Sequence, residues 1–182
     1  MDIKKPKAMR QGSPDDFQTP KEALYPLIPF LKKDWLIWEC ACGKGNLVEG
    51  LKELGFDCFG TDINQGREID FVQWVDDCIP DKVSFDCIIT NPPFSLKQEF
   101  IEKCYELKKP FALLLPLTTF ETLKRQKLFR DNGIQVIFFD KRIKFETPSG
   151  RSGKSSSPWF ATAWFTWGLN LPKDLMFAKL QP

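Results

Sequence analysis

Six short apolar runs are spaced along this 182-residue chain, and segments of helical spacing separate most of them. The runs are Trp35–Ala41, Cys58–Ile63, Phe85–Thr90, Phe111–Leu117, Ile134–Phe139 and Trp159–Trp167. Each is of strand length, and none is long enough to span a bilayer as a helix. Between them, Asn46–Leu54 is amphipathic and closes on Gly55. Phe100, Ile101, Cys104 and Leu107 share one face of a second helix, for which Ser95 is the expected N-cap. Thr122–Asn132 forms a third, closed near Gly133. A further helix is expected from Pro20 to about Lys33, with Leu24, Leu27, Ile28 and Leu31 at helical spacing and a break or kink at Pro26 and Pro29. Strands alternating with helices through short loops predict an α/β fold, a parallel sheet covered on both faces. The last two runs have only a loop between them, which favours an antiparallel hairpin at that end of the sheet.

The length suits one domain with a real core. Residues 1–16 are polar and read as a flexible N-terminal arm, leaving residues 17–182 as a single domain. A net charge of +2 is too small for bulk attraction to nucleic acid, so any basic face must come from local clustering. Met1-Asp2-Ile3-Lys4-Lys5 lacks the apolar region of a signal peptide, and six cysteines without one fit free thiols in a reducing cytoplasm. No membrane partner is expected. Cys40 and Cys42 are one residue apart and the chain has no histidine, which argues against a metal site and for small buried side chains. The same lack of histidine removes every Ser-His or Cys-His nucleophile system.

Two motifs stand at strand ends. Glu39-Cys40-Ala41-Cys42-Gly43-Lys44-Gly45 is a glycine turn at the carboxyl end of the first run, where open α/β sheets hold ligands. It is not the dinucleotide fingerprint, because Val48 stands where a third glycine is needed. Nor is Gly153-Lys154-Ser155 a phosphate loop, since no glycine stands at the first position of that motif. An acid before the glycines suits a ligand with a cationic amine, such as S-adenosylmethionine. Asp62, closing the next run, is placed to accept hydrogen bonds from ribose hydroxyls. Asp70-Phe71 and Asp76-Asp77 both offer an acid for an adenine amino group, with Phe71 available to pack on the ring in the first case.

The second motif is Asn91-Pro92-Pro93-Phe94, directly after an apolar run. Two prolines fix the backbone and remove two donors, leaving carbonyls as acceptors. With the Asn91 amide oxygen they form a cradle for a planar NH₂ group. Such an amine is a poor nucleophile, because its lone pair is delocalised into the ring. Accepting both its hydrogens, from Asn91 and the Pro92 carbonyl, favours the pyramidal nitrogen that can attack a methyl group. Phe94 would stack on the ring, for about 1–3 kcal/mol. Farther on, Lys141, Arg142, Lys144, Arg151 and Lys154 cluster with Phe145 and Trp159, a pattern that suits a phosphate backbone and an extruded base.

Taken in order, the acidic glycine turn, the strand-end Asp and the Asn-Pro-Pro-Phe turn resemble the class I S-adenosylmethionine-dependent amino-methyltransferases. Phe17-Gln18-Thr19-Pro20, ahead of the glycine turn, resembles the first cofactor motif of N6-adenine methyltransferases. Lys141–Phe145 and Ser157-Pro158-Trp159-Phe160-Ala161 resemble a compact DNA N6-adenine methyltransferase group of phages and prophages. The resemblance covers roughly residues 15–168. It implies a Rossmann-like, mostly parallel seven-stranded sheet with an antiparallel C-terminal hairpin and helices on both faces. It also implies S-adenosylmethionine as cofactor, held by Phe17, Thr19, Pro20, Glu39, Ala41, Gly43, Gly45, Asp62, Ile63, Asp70, Phe71 and Asn91. Asn91, Pro92, Pro93 and Phe94 would be catalytic; Lys141, Arg142, Lys144, Arg151, Lys154 and Trp159 would meet DNA. Larger enzymes of the class carry a separate target-recognition domain for which this sequence has no room, so short or lax target specificity is expected. RNA amines, a protein glutamine amide, and a non-catalytic cofactor- or nucleic-acid-binding module are the alternative readings. A cytosine C5 mechanism is disfavoured, because no Pro-Cys pair occurs.

Overall fold

The computed structural model describes residues 17–63, 70–73, 84–145 and 160–180. Seven strands form one sheet: β1 (Leu36–Glu39), β2 (Asp57–Gly60), β3 (Cys87–Thr90), β4 (Phe111–Pro116), β5 (Gln135–Phe139), β6 (Thr162–Trp167) and β7 (Leu175–Ala178). Their order is β2-β1-β3-β4-β6-β5-β7. The neighbours β2-β1-β3-β4 are parallel, and β6 enters antiparallel between β4 and β5. The expected mixed sheet and C-terminal hairpin are therefore present. The hairpin is wider than the sequence suggested, because β6 pairs on both sides, from Phe111↔Trp167 to Pro116↔Thr162 and from Gln135↔Thr166 to Phe138↔Ala163.

Alternation along the strands sorts side chains into two cores. Trp38, Ile88, Phe111, Leu113, Leu115, Val136, Ala163 and Phe165 face one side of the sheet. There they meet Phe100, Ile101 and Cys104 of α2 (Lys97–Leu107) and Phe129 of α3 (Leu123–Asn132). Ile37, Cys87, Ile89, Ala112, Leu114, Ile137 and Trp164 face the other side, against Leu47 and Leu51 of α1 (Asn46–Glu53). Because successive side chains point to opposite faces, strands buried on both sides must be apolar throughout. All six residues of β4 are buried, as this requires.

Two local expectations are corrected. The segment after Pro20 is not one helix but two 3₁₀ turns, Lys21–Leu24 and Ile28–Phe30. Pro26 and Pro29 lack the N–H groups an α-helix would need there, so the chain keeps short i→i+3 bonds, Leu27 N–H to the Leu24 carbonyl among them. Its apolar residues are still buried: Ala23, Leu24 and Leu27 join the α1 face, and the Ala23 carbonyl accepts the Trp164 Nε1–H at 2.6 Å. Ser95 is not the N-cap of α2. A 3₁₀ turn, Phe94–Leu96, follows the prolines directly, with Leu96 N–H donating to the Pro93 carbonyl, and Leu96 takes the cap position. Thr122, by contrast, caps α3, accepting from Arg125 N–H. The seventh strand, β7, was not legible as a run. It is four residues at the sheet edge, parallel to β5, with Phe177 82 % exposed. No helix among the described residues is long and apolar enough to cross a membrane.

Candidate functional site

The chain leaves β1 toward β2 on one side and returns to β3 on the other, so a crevice opens where the strand order reverses. The carboxyl ends of β1, β2 and β3 lie on the same edge because these strands are parallel. Glu39, Asp62 and Asn91 stand at those ends.

The glycine turn is pinned from both sides. The β1–β2 ladder continues past the strands, with Thr61 N–H donating to the Glu39 carbonyl at 2.9 Å and Cys42 N–H to the Thr61 carbonyl at 3.0 Å. Asp62 accepts the Gly43 N–H at 3.0 Å. Gly43 and Gly45 have φ of +51° and +93°, values that side chains rarely adopt. A Cβ on Gly45 would touch nothing within 4 Å, so the requirement there is conformational. We expect Gly45→Ala to lower stability by about 1–2 kcal/mol through that backbone alone, measured by denaturant unfolding.

Glu39 is 1 % exposed. Its Oε1 accepts the Ala41 N–H at 3.0 Å. Burial pushes its carboxyl up to about 8; the neighbouring Thr90 hydroxyl and the Ala41 N–H oppose that rise, and the Asp62 charge adds to it. Near neutrality the carboxyl is therefore mostly protonated, and a cation placed beside it would favour its ionisation. The thiols of the described residues offer no competing chemistry. Burial raises Cys40, Cys42, Cys58, Cys87 and Cys104, Cys42 to about 12, so thiolate is scarce at neutral pH. Among the described residues no group of three or more His, Cys, Asp or Glu is arranged to hold a metal.

Asn91 carries the most informative arrangement. Its Nδ2 donates to the Phe17 carbonyl at 3.0 Å, across 74 residues of sequence. Its Oδ1 is buried and has no hydrogen-bond partner among the described residues. A buried acceptor left unpaired is costly, about 1–3 kcal/mol, and leaves room for a further donor. Pro92 is buried beside it, and the Lys97 ammonium donates to the Phe94 carbonyl at 2.9 Å, holding the turn onto α2. Thr19, two residues beyond Phe17, likewise buries an unpartnered hydroxyl.

Phe94 is 8 % exposed. Phe17 stacks on it at 5.7 Å, Phe160 meets it edge-on at 5.4 Å, and Phe145 packs on Phe17 at 5.6 Å. A planar ring reaches Phe94 only if Phe17 or Phe160 is displaced. Phe71 does not join this group. It is 1 % exposed, with Trp38 at 5.3 Å and Phe100 at 4.9 Å, so it serves the core and presents no face to a ligand here. Asp70 accepts Val72 N–H and the Gln73 side chain, stabilising its own turn. Ala41 contributes its N–H to Glu39, Pro20 its carbonyl to Ala23 N–H, and Ile63 packs at the margin of the α2 core.

Lys141, Arg142 and Lys144 are exposed, while the alternating Ile143 and Phe145 are buried. They follow β5, which is parallel to β7 and antiparallel to β6, just as β4 is antiparallel to β6. Their segment therefore leaves the sheet on the same edge as the Asn91 turn. Arg151, Lys154, Trp159, Asp76-Asp77 and the arm 1–16 lie outside the described residues. One site residue escaped individual notice in the sequence. Gln18 is 6 % exposed and its Oε1 accepts the Lys44 N–H at 2.9 Å. A lone glutamine carries no periodic signal, and its partner lies 26 residues away.

No family model matches the sequence, and no curated protein is significantly similar to it. Solved structures do resemble the fold. One is a modification subunit of a putative type I restriction enzyme from Vibrio vulnificus YJ016, 14 % identical over 82 % of this chain, with a TM-score of 0.52. Another is a SAM-dependent methyltransferase from Archaeoglobus fulgidus, 19 % identical over 67 % of this chain and 72 % of its own, with a TM-score of 0.47. This chain spans 44 % of the length of the Vibrio vulnificus subunit. With that subunit it shares the Rossmann-like sheet and the helices on both faces.

Proposed function

We propose that this chain transfers the methyl group of S-adenosylmethionine to an exocyclic amine, the N6 amino group of adenine in DNA. The observation that carries the reading is Asn91: a buried amide whose nitrogen is committed to the Phe17 carbonyl and whose oxygen has no partner. Such an oxygen accepts one N–H of an NH₂ group, and the Pro92 carbonyl is the second acceptor in this reading. Withdrawing both hydrogens toward acceptors restores the lone pair of a delocalised amine without a strong base. The chain has no histidine, the commonest general base, which fits such a route.

The residues fit the cofactor. Open space faces Gly45, Glu39 is a buried acid suited to an ammonium, Asp62 stands at the end of β2 for a ribose, and Thr19 has an unpaired hydroxyl. When bound, S-adenosylmethionine supplies an electrophilic methyl on a sulfonium centre. The glycine turn would hold its methionine end. Lys141, Arg142 and Lys144 suit the phosphates of a nucleic acid, and the aromatic group around Phe94 suits a flipped base. The type of the Vibrio vulnificus subunit agrees with a DNA substrate.

Tritium transfer from labelled cofactor to separate DNA, RNA and peptide pools, followed by nucleoside analysis, tests the reading. N6-methyladenine in the DNA pool is expected. Label in RNA with none in DNA would overturn the polymer, and label in no pool would overturn the activity.

A further inference from the structure

Two adjacent residues of the N-terminal segment reach both halves of the site. Gln18 lays its side-chain amide against the glycine turn: Oε1 accepts the Lys44 N–H at 2.9 Å, and a Cβ on Gly43 would sit 2.7 Å from Nε2 and 2.8 Å from Oε1. That close approach needs a glycine at position 43. One residue earlier, the Phe17 carbonyl accepts the Asn91 Nδ2–H at 3.0 Å, and the Phe17 ring stacks on Phe94. The dipeptide is thus a strap between the turns after β1 and β3, and neither end of it belongs to a regular strand or helix.

The strap has a chemical consequence. An Asn amide can be turned through 180° with almost no change in shape, but its two ends have opposite hydrogen-bonding character. With the Phe17 carbonyl in place, the NH₂ end is held toward the strap and Oδ1 is left as the acceptor. In the opposite orientation two oxygens would meet and an NH₂ would face the incoming amine. The carbonyl can do this only where the backbone of residue 17 is fixed, and the buried grip of Gln18 on Lys44 fixes it next door.

We propose that Gln18 is a positioning residue. By gripping the glycine turn it sets the Phe17 carbonyl that orients the Asn91 amide, and so links a ligand at the glycine turn to the readiness of the amine acceptor. This inference rests on Asn91 acting as the amine acceptor.

The test compares Gln18→Met, which keeps length but cannot accept the Lys44 N–H, with Gln18→Glu, which still can. Transfer kinetics are measured beside the side-chain NH₂ signals of Asn91 in ¹⁵N-labelled protein, assigned by their loss in Asn91→Asp. In the wild-type protein the Asn91 signals should show hydrogen-bonded, slowly exchanging protons. Gln18→Met should speed that exchange and lower kcat about tenfold with KM for the polymer little changed, as for loss of one oriented hydrogen bond. Gln18→Glu should recover most of kcat. Equal kcat in wild type and Gln18→Met, equal loss in both variants, or fast Asn91 exchange in the wild type would overturn the proposal. The last readout is made on the wild-type protein and needs no activity. Absence of transfer in the wild type, with slow Asn91 exchange lost in Gln18→Met, would instead overturn the functional reading and leave the strap standing.

Discussion

Asn91→Ala should reduce methyl transfer about 10²–10³-fold, the usual loss when one oriented group at a reacting centre is removed. Cofactor affinity, measured by calorimetry, should change by less than a few-fold. The reason lies in the division of labour between the two turns. On the proposed reading Asn91 would meet the amine through Oδ1, which has no partner among the described residues, whereas Glu39, Gly43 and Asp62 are held at the glycine turn by bonds that do not involve Asn91. Some stability should also be lost, because the Phe17 carbonyl would no longer receive Nδ2. A buried acceptor left unpaired costs about 1–3 kcal/mol. Unfolding curves therefore accompany the kinetics, and rates are compared where both proteins are fully folded. Loss of cofactor binding together with transfer would show that Asn91 belongs to the cofactor pocket and not to the acceptor site.

Glu39→Gln should abolish a pH dependence of stability expected of the wild-type protein between about pH 4.5 and 8. Burial pushes the folded carboxyl up to about 8, from about 4.5 for an ordinary glutamate. The folded state therefore binds this proton more tightly than the unfolded state. Its contribution is complete below the unfolded value, falls as pH rises through the window, and is flat above the folded value. At about 1.4 kcal/mol per unit, the fall is on the order of 4–5 kcal/mol, undiminished by solvent because the group is 1 % exposed. A glutamine carries no such penalty and can still accept the Ala41 N–H. Thermal unfolding across pH 5 to 9 checks this: wild type should lose stability, apart from other titrating groups, and the difference from Glu39→Gln should follow a single proton. A cationic ligand at Glu39 should release up to one proton on binding near pH 7, seen as heats that vary with the ionisation enthalpy of the buffer. A difference curve flat across the whole range would mean that Glu39 is ionised in the folded protein.

Much of the scaffold could be read from the chain. Runs such as Phe111–Leu117 are apolar at every position, which only a strand covered on both faces tolerates, and Gly133 closes α3 as a helix-ending glycine should. The two turns of the candidate site were legible as strand-end turns: Glu39 before two glycines, and Asn91 before two prolines. Other features were not local. Pro26 and Pro29 turned an apparently amphipathic helix into two 3₁₀ turns, because missing N–H groups outweigh favourable spacing. Phe71 lay beside a suitable acid, yet packing between Trp38 and Phe100 claimed its ring. β7 has four residues, and its strand character depends on the edge of β5.

The sequence alone therefore determined the alternation of strands and helices and the identity of the two strand-end turns, since these follow from side-chain period and from the backbone limits of Gly and Pro. Tertiary structure alone decided that Phe17 and Gln18 join those turns, that Asn91 points its nitrogen inward and leaves its oxygen unpaired, and that Glu39 holds a proton near neutrality. Each of these depends on distance and burial between residues 26 to 74 positions apart, or on the solvent that the whole fold excludes.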